Sequence, residues 1–161
     1  KLHNTVFVID DKGAIAGSHR KINVLRVGSE SWSSPGDQAA PVVIPGFGSV
    51  GILICADACS PKIAGRLKTQ GARLLVSAAA WTPGFHGPGG EWERCTTDTG
   101  LPLFVYNRTG PDRTLDFTHA ESVVSRDGRR LLSLSSERST VFLIDWNMNA
   151  HTLESYQRID L

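Results

Sequence analysis

The stretch Gly51-Ile-Leu-Ile-Cys55-Ala-Asp57-Ala-Cys59-Ser-Pro61 decides the fold. Its first residues form an apolar run that is too short for a helix, which predicts a buried strand ending at Cys55. The segment Pro61–Gly71 carries apolar residues between an initial proline and a closing glycine, which predicts a short helix. Cys55 is therefore expected on a sharp strand-to-helix turn, where the first backbone N–H groups of the helical segment are free.

The position of Cys55 supports two interpretations. Free N–H groups lower the pKa of a thiol and can hold a developing oxyanion, so the turn suits a nucleophile. A cysteine at the end of an apolar strand is also commonly a small buried hydrophobic residue. The stretch by itself does not separate these interpretations.

The composition indicates one globular domain and excludes several classes of partner. The chain has 161 residues, 40% of them hydrophobic, and a net charge of +1, which suits a single domain. Acidic and basic residues are mixed, so the charge gives no basis for binding nucleic acid or an anionic membrane. No run approaches the roughly 20 apolar residues of a membrane span, and no signal-peptide apolar region precedes the first predicted strand.

The cysteine count argues against a disulfide framework. Cys55, Cys59 and Cys95 are odd in number, which indicates free thiols in a reducing compartment, and we expect a cytoplasmic protein. The spacing Cys55-x₃-Cys59 with His86 or His119 suggests zinc only weakly, because no second cysteine pair completes the pattern. We therefore expect no metal and no cofactor.

Around the central stretch, the sequence predicts a hairpin, then a β-α-β unit, then a late hairpin and a last strand. The predicted strands are Thr5–Asp10, Ala14–Leu25, Pro41–Ile44, Ser49–Ile54, Ala72–Ala80, Leu101–Asn107, Ser122–Ser125, Leu131–Leu134 and Thr140–Asp145, with a second, weak helix over Glu91–Gly100. The apolar run 72–80 predicts a strand covered on both faces. We place one domain at 1–145 and treat 146–161 as an extended C-terminal tail with a possible short helical piece.

Lys21 closes the basic run His19-Arg20-Lys21 in the second predicted strand. The ordinary interpretation of such a run is a solvated strand edge. Side chains alternate across a strand, so Lys21 and Ile22 would face opposite ways. A lysine that points inward would need a carboxylate or an anion as its partner.

Taken together, these stretches resemble the nitrilase, or carbon–nitrogen hydrolase, superfamily. The resemblance rests on the order and spacing of many short motifs and not on any single one. These are Asn4-Thr5, Ile9-Asp10, His19-Arg20-Lys21, Pro35-Gly36, Phe47-Gly48-x₂-Gly51-x₂-Ile54-Cys55-x-Asp57-x₃-Pro61, Gly71-Ala72-x-Leu74-Leu75, Ala79-Ala80-Trp81, Asn107-Arg108-x-Gly110 and Glu121-Ser122-x₃-Arg126-Asp127-Gly128. The resemblance implies an α/β fold, a four-layer αββα sandwich of which this chain supplies roughly the C-terminal half to two-thirds.

The resemblance also implies roles for particular residues. In this family a cysteine thiolate attacks an amide or nitrile carbon, a glutamate is the general base, and a lysine stabilises the tetrahedral intermediate. Cys55 matches the nucleophile, Lys21 matches the lysine, and the backbone N–H of Ala56 is the expected second oxyanion donor. Glu30 lies where many family amidases carry a supporting glutamate, although an exposed surface glutamate is the alternative. Trp81 either lines the substrate pocket or packs in the core.

Part of the expected site lies outside this sequence. The family's base glutamate belongs to an N-terminal segment that precedes Asn4-Thr5, so we expect that half of the fold as a separate chain or a missing segment. Near the nucleophile, Ser60-Pro61-Lys62 replaces the usual aromatic-Pro-Glu, Gly65 occupies the usual arginine position, and Ala56 stands where an aromatic residue is common. These departures leave the substrate class open.

These features predict a hydrolase that cleaves a non-peptide carbon–nitrogen bond in a small amide, carbamoyl or nitrile compound. Cys55-x-Asp57 favours amidase-like and N-carbamoylase-like members over true nitrilases. The alternative is a non-catalytic structural or regulatory relative, and the presence of both Cys55 and Lys21 favours the hydrolase. Family members assemble through the helices beside the nucleophile and through the C-terminal tail, so we expect a homo-oligomer with 146–161 as a contact. The loop Thr82–Gly90 is expected to set specificity.

Overall fold

The strands and helices follow the predicted order closely. The computed structural model describes residues 1–26, 30–83 and 89–161. The strands are β1 (Thr5–Ile9), β2 (Ile15–Arg20), β3 (Val42–Ile44), β4 (Gly48–Ile54), β5 (Leu74–Ala79), β6 (Leu103–Asn107), β7 (Ser122–Arg126), β8 (Arg129–Leu134), β9 (Thr140–Asn147) and β10 (Thr152–Asp160). The helices are α1 (Pro61–Thr69) and α2 (Glu91–Thr99), and a 3₁₀ helix, Cys55–Cys59, joins β4 to α1. Within the described ranges, no helix is long and apolar enough to cross a membrane.

A six-stranded mixed sheet with the order β3-β4-β5-β6-β7-β8 forms the centre of the molecule. Strands β4, β5 and β6 are parallel, and β3, β7 and β8 join by antiparallel pairing. The β4-α1-β5 segment is thus the predicted β-α-β unit, and the structure shows that its strands are parallel. Because parallel strands point the same way, the carboxyl ends of β4, β5 and β6 meet at one edge of the sheet.

One face of this sheet packs against α1 and α2 and holds the main core. Leu53, Leu75 and Leu103 come from the three parallel strands, and Leu67 and Trp92 come from the two helices; all five are fully buried. The core is close-packed at the contact between β4 and α1, where Gly51 lies. A Cβ atom at Gly51 would lie 2.6 Å from a methyl group of Leu75 and 3.1 Å from one of Leu67. The small size of glycine therefore suits a position where side chains of both β5 and α1 come close to the backbone of β4.

The opposite face of the sheet is only partly covered. A second apolar cluster there includes Val50, Ile52, Leu74 and Phe104, with Trp146 of β9 packed against it. A groove of about 840 Å³ opens over this face, between the β1–β2 hairpin, the sheet and the β9–β10 hairpin. Val76 and Ala78 of β5 line the groove, so the prediction that β5 is covered on both faces holds on one face only.

The second strand is shorter than predicted. It ends at Arg20, not at Leu25. The backbone N–H groups of Ile22 and Asn23 donate to the carboxylate of Asp57 at 3.1 and 2.7 Å. The Asp57 carboxylate replaces the backbone carbonyls that these N–H groups would bind in a strand. The pairing of β2 with β1 therefore ends at Arg20.

The C-terminal residues form a β-hairpin. The boundary that we placed between 145 and 146 lies inside β9, and β10 pairs antiparallel with β9 along its length. The predicted extended tail with a short helical piece is therefore wrong. The Asn147 side chain accepts from the backbone N–H groups of Asn149 and Ala150 at 3.0 and 2.9 Å. Such an Asx-type turn reverses the chain and favours the hairpin.

Candidate active site

Cys55 lies on the predicted sharp turn. It follows the last residue of β4 and begins the 3₁₀ helix. Its φ is +49°, a left-handed conformation that favours glycine and is uncommon for other residues. Its relative exposure is 8%, so the thiol lies just beneath the surface. Strained backbone of this kind occurs preferentially at functional sites, where the surrounding structure holds it in place.

Several groups act on the Cys55 thiol in opposite directions. Burial raises its pKa most strongly, and the negative charge of Glu30 adds to that effect. The positive charge of Lys21 lowers the pKa, as do hydrogen bonds to the backbone of Ala80 and Ala56. The net effect is a raised pKa, and a cation and two backbone N–H groups from different segments offset part of the effect of burial. Such groups can also stabilise negative charge that develops on a bound carbonyl oxygen.

Lys21 is buried and paired with Glu30, so the interpretation of Lys21 as a solvated strand edge is wrong. Its side chain is 3% exposed, and Nζ donates to both carboxylate oxygens of Glu30, at 2.7 and 2.6 Å. Glu30 also accepts from Nδ2 of Asn4 at 3.0 Å and from the backbone N–H of Leu25 at 3.1 Å. Glu30 is half-buried and hydrogen-bonded to Lys21, Asn4 and Leu25. It therefore differs from the exposed surface glutamate that was the alternative interpretation.

A second buried pair joins the Lys21 segment to the Cys55 turn. Nε2 of His19 lies 2.8 Å from Oδ2 of Asp57, and both side chains are almost fully buried. Oδ2 also accepts from the backbone N–H of Ile54 at 3.1 Å. Oδ1 takes the N–H groups of Ile22 and Asn23 that end β2. One carboxylate thus receives four hydrogen bonds from both sides of the site.

The two residues predicted to contact substrate have different environments. Ala56 is buried, its carbonyl accepts from Nδ2 of Asn23 at 2.7 Å, and it contributes one of the backbone hydrogen bonds to Cys55. Trp81 packs against the main core, with its ring edge-to-face to Trp92 at 6.5 Å between centroids. The backbone N–H and carbonyl of Trp81 are both held by the side-chain amide of Asn107, at 2.9 and 2.8 Å.

The residues suggested for zinc do not form a site within the described ranges. No group of three His, Cys, Asp or Glu residues that could hold a metal occurs there. His119 is exposed, with Nε2 3.6 Å from Glu137, and His86 lies outside the described residues. Cys55, Cys59 and Cys95 are free. Burial raises the pKa of Cys59 to about 11 and that of Cys95 to about 12, which disfavours their thiolates as ligands.

His19, Asp57 and Asn107 belong to the family-like motifs but have no role predicted from the sequence, and neither does Asn23. A signal was available for His19: it lies two residues before Lys21 in a strand, so both side chains were expected on the same face. Nothing local indicated that Asp57 would bind both His19 and the backbone N–H groups that follow Lys21. The central part of the loop Thr82–Gly90, residues 84–88, lies outside the described residues.

Comparison with known proteins agrees with this fold. Residues 1–149 match the family model described as carbon-nitrogen hydrolase, so the chain belongs to that family, within the nitrilase superfamily. It is 26% identical over 144 residues to a probable nitrilase of Schizosaccharomyces pombe. The matched region covers 87% of this chain and 51% of that relative. Nitrilase homolog 2 of Dictyostelium discoideum is also 26% identical, over 92% of this chain and 48% of its own length.

Solved structures of similar fold include an amidase of Nesterenkonia sp. AN1, in a mutant form in which acrylamide has added to the active-site cysteine. Its TM-score is 0.71 at 26% identity, over 81% of this chain and 52% of that one. The carbon-nitrogen hydrolase of Helicobacter pylori G27 has a TM-score of 0.70 at 24% identity, over 83% and 52%. The chain thus has the α/β nitrilase-type fold and spans about half the length of the curated relatives it matches.

Proposed function

We propose that this chain is the nucleophile-bearing half of a hydrolase that cleaves a non-peptide carbon–nitrogen bond in a small amide or carbamoyl compound. One observation carries the proposal: the left-handed Cys55 is subject to the charge of a buried lysine and to two backbone hydrogen bonds. The chain belongs to a family of carbon–nitrogen hydrolases. The similar amidase of Nesterenkonia sp. AN1 has a cysteine in its active site, which supports the same chemistry here.

In the proposed reaction the Cys55 thiolate attacks the carbonyl carbon, so that a C–S bond forms and the carbonyl electron pair moves to oxygen. Lys21 and the N–H of Ala56 stabilise that oxyanion. The C–N bond then breaks and the amine leaves with a proton from the general acid–base group. The acid–base group then takes a proton from a water molecule as that water attacks the acyl-enzyme. The C–S bond breaks, and the acid product and the Cys55 thiolate are released.

Glu30 is proposed to orient Lys21. An ammonium group has three donors, and two of those of Lys21 point to the carboxylate oxygens of Glu30. One donor then remains for the developing oxyanion. The contacts of Glu30 with Asn4 and Leu25 fix the carboxylate in turn, so that the lysine is held before substrate arrives.

The general base and the cover of the apolar groove are both proposed to come from the other half of the fold. The groove is lined by Val50, Val76, Phe104 and other apolar side chains, and neither Cys55 nor Lys21 lines it. An apolar face of this size beside the exposed Phe7 and Phe47 fits a protein segment better than a small substrate. We propose that this segment is a separate chain or a further part of the same polypeptide.

The chain is also proposed to form a homo-oligomer in the cytoplasm. The second strand of the C-terminal hairpin exposes Tyr156 and Ile159, which supports the expected contact through 146–161. The three free cysteines fit a reducing compartment. Light scattering after size exclusion tests the assembly: a Tyr156→Lys substitution should shift the mass towards the monomer, whereas an unchanged mass would place the contact elsewhere.

The activity itself is tested by limited alkylation with iodoacetamide, followed by intact-mass and peptide mass spectrometry. We expect the first label on Cys55, because Lys21 and two backbone hydrogen bonds favour its thiolate, and we expect no fast label in Cys55→Ala. A companion chain in the purified sample would identify the other half, and hydrolysis of small amides and carbamoyl compounds by that assembly would establish the reaction. Labelling of Cys55 no faster than that of Cys59 or Cys95 would instead favour a non-catalytic relative.

A further inference from the structure

We propose that Asp57 and His19 are positioning residues that set the placement of Lys21 relative to Cys55. The proposal rests on the function proposed above and adds two residues that contribute through Lys21 and Cys55 and not by touching substrate. It is carried by one geometric fact: a single buried carboxylate joins the chain on both sides of Lys21 to the turn that holds Cys55.

The first connection fixes the turn at Cys55. Asp57 lies two residues after the cysteine in the 3₁₀ helix, and its Oδ2 accepts from the N–H of Ile54, the residue just before the cysteine. The carboxylate thus closes a ring around Cys55. A side-chain acceptor on the backbone N–H that precedes a helical segment stabilises the start of that segment. Here it also holds the left-handed conformation at Cys55.

The second connection fixes the segment that carries Lys21. Oδ1 of Asp57 accepts from the N–H groups of Ile22 and Asn23, which immediately follow the lysine. The backbone of Lys21 also makes two hydrogen bonds of its own. Its N–H donates to the carbonyl of Asn4, and the carbonyl of Lys21 accepts from the N–H of Gly36. The backbone of Lys21 is therefore restrained from both directions, and its side chain is directed to Glu30.

His19 supplies the fourth hydrogen bond. It lies on β2 two residues before Lys21, and its Nε2 is 2.8 Å from Oδ2 of Asp57. A carboxylate only accepts, so Nε2 is the donor. Each oxygen of Asp57 then takes two hydrogen bonds. An asparagine side chain has only one acceptor oxygen. Asp57→Asn must therefore lose either the bonds from Ile22 and Asn23 or those from His19 and Ile54.

The test is the pH dependence of Cys55 alkylation, followed by peptide mass spectrometry in the wild type, Asp57→Asn, His19→Phe and His19→Gln. The charged groups that act on Cys55 are Lys21 and Glu30. If Lys21 moves away, the thiolate loses its cation, and we expect the apparent pKa of Cys55 to rise by about one unit, which slows labelling at neutral pH about tenfold. His19→Gln keeps an N–H donor at similar reach and should behave like the wild type.

A double substitution tests whether the effect passes through Lys21. In a Lys21→Met background, Asp57→Asn should change the Cys55 profile no further, because the cation that it positions is already absent. Cys59 is the internal control, since general unfolding would speed its labelling together with that of Cys55. If Asp57→Asn unfolds, the comparison of His19→Phe with His19→Gln decides.

The outcomes separate the two proposals. Slow labelling of Cys55 in the wild type contradicts the proposed function. Fast labelling in the wild type with unchanged Cys55 profiles in Asp57→Asn and His19→Phe overturns the positioning role and leaves the proposed function intact. Equal loss in His19→Gln and His19→Phe, with the Cys59 profile unchanged, also overturns it, because the hydrogen bond would then be irrelevant.

Discussion

Lys21 and Glu30 form a buried ion pair in which one ammonium group bridges both carboxylate oxygens, at 2.7 and 2.6 Å. The two side chains are 3% and 16% exposed. Neither charge is well solvated, so each depends on the other, and removal of one leaves the other uncompensated. The pair also acts on Cys55 with opposite signs, because the lysine lowers the pKa of the thiol and the glutamate raises it.

Replacing the lysine should make Cys55 less reactive. Lys21→Met removes the charge that lowers the pKa of the thiol, so the pKa should rise further above its ordinary value. We expect labelling by iodoacetamide at pH 7 to slow by about tenfold, the factor that one pKa unit gives. Lys62→Met, on the exposed first turn of α1, is the control. An unchanged Cys55 rate in Lys21→Met would show that the charge does not act on the thiol.

Replacing the glutamate should have the opposite effect on Cys55. Glu30→Gln removes a charge that raises the pKa of the thiol, so labelling at pH 7 should become faster. The same variant should lose stability, by less than the roughly 3–5 kcal/mol of a fully buried broken pair because Glu30 is partly exposed. Urea denaturation measures the loss, with Glu137→Gln at an exposed ion pair as the control. Slower labelling without unfolding would mean that the lost orientation of Lys21 outweighs the lost negative charge of Glu30.

A pair of glycine substitutions tests the packing of α1 on β4. Gly51→Ala would place a Cβ 2.6 Å from a methyl group of Leu75, and overpacking of this kind costs about 1–3 kcal/mol. Gly65→Ala, within α1, meets no atom within 4 Å and should stabilise the protein by about 0.5–1 kcal/mol. Urea denaturation midpoints should therefore move in opposite directions. A Gly51→Ala midpoint equal to the wild type would mean that the side chains of Leu75 and Leu67 can shift to admit the methyl group.

The side-chain amide of Asn107 should support the edge of the sheet that carries the site. It binds both the N–H and the carbonyl of Trp81, the residue after Ala80. Asn107→Asp removes the donor and leaves that carbonyl facing a carboxylate, so we expect a loss of about 1–3 kcal/mol and a higher pKa of Cys55 as the hydrogen bond from Ala80 weakens. Urea denaturation and Cys55 labelling measure both effects, and Asn149→Asp at an exposed turn is the control.

Much of the fold could be predicted from the sequence because it depends on local patterns. The apolar run before Cys55, the proline at the start of α1 and the glycines at turns specify strand, helix and hairpin over a few residues. The C-terminal hairpin was missed because its one clear turn signal, Asn147, lies within a segment of mixed polarity. Its strand β10 is largely exposed, so hydrophobic alternation along it is weak.

The candidate site could be predicted only in part, for a different physical reason. Cys55 and Lys21 were identified through motifs, but their partners depend on segments that approach each other in the folded chain. His19 and Asp57 are 38 residues apart, and Glu30 reaches Lys21 from an irregular loop. No periodicity within either segment encodes such a contact, since a carboxylate in a loop has the same local pattern whether it faces solvent or a buried cation.

The left-handed backbone at Cys55 has a consequence for any attempt to engineer this protein. Holding a residue with a Cβ in that region costs about 1–2 kcal/mol, and glycine would relieve the cost at this position. A library screened only for heat resistance would therefore enrich glycine at residue 55 and discard the thiol. Directed evolution of this fold needs a second selection for thiol reactivity, because at this one position durability and chemistry favour different amino acids.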